Sequence, residues 1–416
     1  MANATAESAP SPMPAATNDS DNAARKALVR RDARIFTSWW NWLALVIVVA
    51  VWFVAPMMVN NEWARVLSFA GIIAVAALGL NLLTGYAGQA SLGSAAFMAI
   101  GAFIATYMGR AVDDRVPGLG QPFTVYLVVA IIAGGVVGFV VGLPALRLRG
   151  NYLVVVTLGL VFITVWVIDL ITRKNGVTVS VAQPPNTAEF LGIDWGNAFN
   201  FFGMREPAYN GEFRYHGLMY LNWLFVGIVA LLVKNVVRSR PGRALQAIRE
   251  RDVAAEVVGV SLFRYKVGAF VMSSAIGACA GALYGLHVAN LKPTQEAAFG
   301  NSIGLGMSIL VLTVIIVGGI GSVYGTVVGA LIIGSLPEVI GLFSDKLPFI
   351  AGPGESGLSA AVFTAMLSAV LLVGTLVIEP FGFAGTMRKI KVHYLQRKTA
   401  ARHDDAELEV TSSSQP

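Results

Sequence analysis

Charge is what this sequence lacks most. Only 13% of its 416 residues are Asp, Glu, Lys or Arg, against about one-quarter in a soluble domain. That shortage excludes an ordinary water-soluble globule. Cysteine is scarcer still. Cys279 stands alone, so no disulfide closes within the chain and a small cross-linked scaffold is excluded. Its Gly/Ala-rich apolar surroundings make it a packing residue rather than a reactive thiol. The four histidines (His216, His287, His393, His403) have no ligand spacing, and neither HExxH nor CxxC occurs, so no metal site is expected. There is no GxxxxGK[ST] phosphate loop and no Gly-Lys dipeptide, so the chain does not bind ATP by that motif. No Ser–His, metal or paired-carboxylate constellation supports an intramembrane enzyme.

What is present is apolar sequence. Hydrophobic residues make up 56% of the chain, in runs of roughly 20, the length that spans a bilayer core. Ten spans are expected, near 40–59, 65–84, 86–108, 123–143, 152–171, 218–237, 267–289, 302–320, 324–344 and 357–378. The boundaries at Gly85 and across Gly318–Gly325 are the least marked. The 44 glycines suit close helix contact in lipid. The fold class is therefore an all-α polytopic membrane protein with about ten transmembrane helices and a cytoplasmic coupling helix.

The basic residues set the orientation. An even span count puts both ends on one side. With the ends inside, the inner segments hold five Lys/Arg in the N-terminal tail, Arg147 and Arg149, eight from Lys234 to Lys266, and six from Arg388 on. These are 21 of the chain's 30. The positive-inside rule places both termini in the cytoplasm. The net charge of +6 thus reports topology, not nucleic-acid binding. Residues 1–38, rich in Ala, Ser, Pro, Asn and Asp, read as a disordered cytoplasmic tail, whose basic end can touch anionic lipid. Residues 39–385 form the membrane domain, with an external loop at 172–217 and a cytoplasmic coupling region at 238–266. Residues 386–416 form a second cytoplasmic tail. The external loop is long enough to act as a cap that contacts a ligand-delivery protein.

One segment is polar where its surroundings are not. SRPGRALQAIRERDVAAEVVGVSLFRYKVGAF (239–270) opens with Ser239 as a cap and Pro241 in the first turn, and has Gly259 at its end, as a helix does. Leu245, Ile248, Ala255 and Val258 fall near one face. Arg243, Arg249, Glu250, Arg251 and Glu256 make it too polar to span. It reads as an amphipathic helix lying on the cytoplasmic face and offered to a partner.

A second segment breaks a helix. In NLLTGYAGQASLGSAAFMAIGAFIATYMG (81–109), glycines at 85, 88 and 93 weaken a helix at membrane depth. The freed backbone must be satisfied by protein or by a water-lined cavity. Asn81, Thr84, Gln89, Ser91 and Ser94 supply uncharged polar groups there, and a half-helix N-terminus can attract a carboxylate. GGIGSVYGTVVGALIIGSLPE (318–338) has a related texture. Deep ionisable groups are rare. Glu338 is the one carboxylate placed to serve a self-contained ion-coupled carrier, which usually needs a pair of such groups.

These motifs carry a resemblance. GYAGQASLGSAAFMAIGAF (85–103), LRLRGNYLVVVTLGL (146–160), GRALQAIRERDVAAEVVGVSLFRYKVGAF (242–270), VGGIGSVYGTVVGA (317–330) and EPFGFAG (379–385) resemble, in this order, the LivM-type permease of branched-chain amino-acid ABC importers. The resemblance implies a transport subunit of the bacterial inner membrane, not an enzyme. It implies as partners a LivH-type permease, two ATPase subunits that bind the ATP and Mg, and an extracytoplasmic substrate-binding protein. It implies that 242–261 docks on the ATPase, with Arg243, Arg249, Glu250, Ala254, Ala255, Glu256 and Gly259 as coupling residues. Asn81, Gln89, Ser91, Ser94 and Thr157 are the expected substrate path. The expected cargo is a Leu-, Ile- or Val-like zwitterion. Related importers carry urea, short amides or other amino acids. Ser94 stands where many relatives have histidine.

Overall fold

The computed structural model describes residues 50, 52–56, 58–108, 122–145, 152–174, 189–190, 193–194, 214–288, 303–344, 350, 360–379 and 382–387. The expected N-terminal tail, most of the first span, most of the 172–217 loop, Arg147, Arg149 and the basic tail from Arg388 lie outside these residues. The chain divides after Phe53. Ala50, Trp52 and Phe53 are helical, and the account below concerns Val54 onward.

Twelve helices carry the architecture of the described residues. They are α1 (Asn61–Asn81), α2 (Ser94–Met108), α3 (Phe123–Ala145), α4 (Tyr152–Lys174), α5 (Arg214–Arg238), α6 (Arg240–Glu250), α7 (Asp252–Val257), α8 (Leu262–His287), α9 (Leu305–Gly318), α10 (Val323–Gly329), α11 (Leu336–Phe343) and α12 (Ala360–Ile378). Two π turns, Leu82–Tyr86 and Ala330–Gly334, extend α1 and join α10 to α11. A two-residue hairpin, β1 (Glu189–Phe190) and β2 (Ile193–Asp194), pairs antiparallel within the 172–217 stretch. Among the described residues seven helices are long and apolar enough to cross a membrane, and α2 and α9 are shorter apolar helices. These nine correspond to nine of the ten expected spans.

Burial orders the bundle. In the most apolar stretch of Asn61–Tyr86, 94% of residues are buried, against 12% for Val362–Met387. So α1 is the central post and α12 lies at the periphery. The apolar face of α12 (Val362, Met366, Val370, Val373, Val377) is exposed, as suits a helix facing lipid tails or another apolar subunit.

The central helices touch through small residues. Along α8, Gly277, Gly281 and Gly285 recur every fourth position and meet Phe97, Met98 and Ala105 of α2. A Cβ at Gly281 would lie 2.7 Å from the Met98 Cα. A Cβ at Gly101 would lie 2.9 Å from the Ala278 Cα. In lipid no hydrophobic force drives helices together, and such backbone approach supplies the van der Waals contact that does. Cys279 is buried in this seam and free, as its surroundings suggest.

Candidate functional site

The break after α1 organises the interior. The α-helix ends at Asn81, the π turn carries the chain to Tyr86, and residues 87–93 are not helical. Gly88 has φ +68, a conformation that suits glycine. Counted with the π turn, Asn61–Tyr86 is 26 residues long, enough to cross a hydrocarbon core of about 30 Å, so the break follows a complete span rather than interrupting one at membrane depth. Helix α2 is described over Ser94–Met108 and α9 over Leu305–Gly318.

Side chains satisfy the freed backbone. Thr157 Oγ1 accepts the Leu92 N–H at 3.1 Å, and Ser91 Oγ accepts the Gly93 N–H at 3.2 Å. Thr84 Oγ1 donates to the Gln89 carbonyl at 3.1 Å. Ser308 of α9 accepts the Ala95 N–H at 3.0 Å. Asn81 works across the fold. Its Oδ1 accepts the Gly321 N–H at 2.8 Å, while Nδ2 donates to the Ser322 carbonyl at 3.1 Å and to Thr326 Oγ1 at 2.8 Å. Two polar groups are left over. Gln89 is 6% exposed and Ser94 8% exposed, yet among the described residues neither the Gln89 amide nor the Ser94 hydroxyl has a hydrogen-bond partner. The five expected path residues thus divide. Asn81, Ser91 and Thr157 are occupied in bracing the break, and Gln89 and Ser94 remain free to meet a polar solute. Ser308 was missed by the sequence reading, because a lone serine inside an apolar helix gives no local signal.

Glu338 is not a lone deep carboxylate. Its Oε2 pairs with Arg65 Nε at 2.9 Å, and its Oε1 lies 3.7 Å from His287 Nε2. Ser68 Oγ accepts from Asn222 Nδ2 at 2.7 Å and lies 3.3 Å from His287 Nδ1. The cluster braces α1, α5, α8 and α11 at the end opposite the basic segment.

The basic segment is two helices, not one. Helices α6 and α7 meet at Arg251, whose extended backbone (φ −154, ψ 110) breaks the run. Ser239 occupies the cap position of α6 but does not cap it. Its hydroxyl donates back to the Val236 carbonyl instead. Pro241 lies in the first turn as expected. Gly259 follows α7 at φ +86, as a terminating glycine should. Gly242 lies where a Cβ would strike the Val236 and Val237 carbonyls, which allows the sharp turn out of α5.

The faces of this segment are now legible. Leu245, Ile248 and Ala255 are buried, as their spacing implies. Val258 is not. It joins Val253 and Val257 in an exposed apolar corner, the three being 83%, 76% and 84% exposed. Arg243, Glu250, Ala254, Glu256 and Gly259 are exposed beside it. Arg243 Nη1 donates to the Arg238 carbonyl at 3.2 Å. Lys266 ties α7 to α8 through a 2.7 Å pair with Asp252. Arg249 differs from the other arginines, for its guanidinium donates to the Gly85 carbonyl inside the same chain. Among the described residues no cluster of His, Cys, Asp and Glu could hold a metal ion.

An apolar helical bundle, a break lined by uncharged polar groups at the end of its central span, and a projecting segment with a bare apolar corner define a membrane permease subunit. Comparison with known proteins gives the family. The chain belongs to the family described as branched-chain amino acid transport system permease component, which matches residues 63–376. It is 30% identical over 321 residues to the high-affinity branched-chain amino acid transport system permease protein LivM of Escherichia coli, covering 74% of this chain and 70% of that one. It is 24% identical over 258 residues to the probable branched-chain amino acid transport permease protein LivM of Methanocaldococcus jannaschii, covering 55% and 68%. It is also 24% identical over 321 residues to the ribose import permease protein RbsC of Escherichia coli, covering 74% and 89%. No solved structure matches the chain. This is a LivM-like ABC permease component and a multi-pass membrane protein, a transport subunit rather than a catalytic one.

Proposed function

We propose that the chain forms, with a LivH-type permease, the pore of an ATP-driven importer for Leu-, Ile- or Val-like amino acids. Two ATPase subunits bind ATP and Mg and dock on α6 and α7 at the cytoplasmic face. A binding protein delivers the zwitterion at the opposite face, where the 172–217 loop lies. Both termini are cytoplasmic. The domain limits are those of the sequence, with the membrane domain at 39–385.

The observation that carries the reading is the pair of unpartnered polar groups, Gln89 and Ser94, beside the start of α2. An uncharged site with a free amide and a free hydroxyl can pass a zwitterion without holding it. Weak affinity suits a pore whose specificity resides in a separate binding protein. ATP binding by the partner draws the coupling segments together and switches the pore between its two facings.

The test is uptake of labelled leucine into membrane vesicles that hold the tagged chain and its co-purified partners. Uptake should require ATP and the ATPase, persist with an ionophore present, and yield to unlabelled isoleucine or valine but not to ribose or urea. Recovery of the chain alone, with uptake that collapses under ionophore, would replace this reading with an ion-coupled carrier. Inhibition by urea or a short amide instead would move the cargo and leave the importer standing.

A further inference from the structure

The coupling segment meets the interrupted helix at one side chain. Arg249, in the last turn of α6, donates from Nη1 to the carbonyl of Gly85 in the π turn. Its acceptor is a neutral carbonyl and not a carboxylate. Two glycines in left-handed backbone lie against the same side chain. A Cβ at Gly88 (φ +68) would lie 3.1 Å from Arg249 Cγ and 3.4 Å from its Cα. A Cβ at Gly321 (φ +84) would lie 3.1 Å from Nη1. Gly321 is in turn bound through its N–H to Asn81, the last α-helical residue before the break. One guanidinium thus touches the coupling segment, the break after α1 and the turn between α9 and α10.

Position along the chain gives that junction its meaning. Gly85 and Gln89 lie in one short stretch, closed on itself by hydrogen bonds from Thr84 Oγ1 to the Gln89 carbonyl and from the Gln89 N–H to the Leu83 carbonyl. A shift of Arg249 pulls on the carbonyl of Gly85 and against Gly88. Both lie within a few residues of the unpartnered Gln89 amide. Arg249 is itself exposed, but its guanidinium is engaged by the Gly85 carbonyl rather than left beside Val253, Val257 and Val258.

We propose that Arg249 is a positioning residue that transmits movement of the coupling segment to the Gln89–Ser94 break, and is not a docking contact for the ATPase. The proposal rests on the importer reading above. The partner holds the exposed corner of α7. Arg249 carries the displacement inward, and the Asn81–Gly321 bond makes the α9–α10 turn follow.

The experiment compares wild type, R249A and R249K in proteoliposomes with the complete complex and leucine-loaded binding protein. Three quantities are read: ATPase retained on the permease, stimulation of ATP hydrolysis by the loaded binding protein, and leucine taken up per ATP. R249A should retain the ATPase and keep basal hydrolysis within about twofold of wild type. It should lose the stimulation and drop uptake per ATP at least about tenfold. R249K keeps the charge and most of the reach but not the fork, and should fall between. It also serves if R249A fails to accumulate, with uptake per ATP about threefold or more below wild type. Uptake per ATP at the wild-type level in either accumulating variant overturns the proposal. So does loss of ATPase retention by R249A, which would make Arg249 a docking residue. Wild type that neither holds an ATPase nor imports leucine would overturn the importer reading, and the proposal with it.

Discussion

Asn81 and Gly321 are 240 residues apart in sequence and share a 2.8 Å hydrogen bond. The same side chain reaches Ser322 and Thr326 through its amide nitrogen. It is fully buried. One asparagine therefore joins the two glycine-rich interruptions of the fold, one in each part of the chain.

Removing it should cost the fold more than it costs any single contact. N81A leaves the Gly321 N–H without its acceptor, at up to about 1–3 kcal/mol, while the Ser322 carbonyl keeps the Thr326 N–H and hydroxyl. We expect a lower thermal midpoint for N81A in detergent than for wild type, followed by fluorescence-detected gel filtration. N81D keeps an acceptor for the Gly321 N–H but should not restore the midpoint, because it puts a carboxylate at a fully buried position in place of a neutral amide. An unchanged midpoint for N81A would mean the two interruptions are held by other contacts.

Glycines along α8 are not equivalent. G281A sets a methyl against the Met98 backbone, which cannot withdraw as a side-chain end can. It should destabilise by about 1–3 kcal/mol, the usual cost of overpacking. Gly268, on the same helix, has nothing within 4 Å of a built Cβ. G268A should be neutral or gain about 0.5–1 kcal/mol from helix propensity. Parallel melts of the two variants decide this, and equal loss in both would assign the cost to helix flexibility rather than to the seam.

The coupling corner separates docking from folding. V257D and V258D place a charge on side chains that are already exposed. Both should accumulate in membranes as wild type does and lose most of the retained ATPase in a mild-detergent pull-down. A255R behaves differently, because Ala255 is buried at 4% exposure. It should reduce accumulation of the permease itself. Gly259→Trp has room but forces a bulky residue into φ +86, at about 1–2 kcal/mol. Full ATPase retention by V257D and V258D together would remove this corner from the docking surface.

Substituting the free polar groups should separate transport from stability. Q89L replaces an unpartnered buried amide by an apolar chain of similar size, so its thermal midpoint should hold or rise. S94A should likewise be neutral to stability. Each should lower the maximal leucine uptake rate several-fold while ATPase retention stays constant. Wild-type uptake in Q89L, S94A and the double variant would show that the substrate path runs elsewhere.

How much of this was legible beforehand differs by element. The spans after the first were placed closely by hydropathy, and the helix now seen at Leu262–His287 was expected at 267–289. The interruption at 85–93 was announced by Gly85, Gly88 and Gly93. The amphipathic segment was visible too, though not its division at Arg251. Ser239 was expected to cap and does not, because its hydroxyl finds the Val236 carbonyl behind it. Val258 was expected on one face with Leu245, Ile248 and Ala255; those three are buried and Val258 is exposed. Spacing counted through a single helix loses its phase where the chain breaks at Arg251.

Sequence alone determined which segments enter lipid, which end of the bundle is basic and where the helix must break. These depend on the transfer of each segment between water and bilayer, and on backbone freedom, both local to a stretch of chain. Only the tertiary structure decided that Asn81, Ser91 and Thr157 brace the break while Gln89 and Ser94 stay free, that Glu338 pairs with Arg65, and that Arg249 reaches the Gly85 carbonyl. Hydrogen bonds and ion pairs are settled by distances of about 3 Å, and the partners here come from helices far apart in the chain. No local pattern encodes which of them will meet.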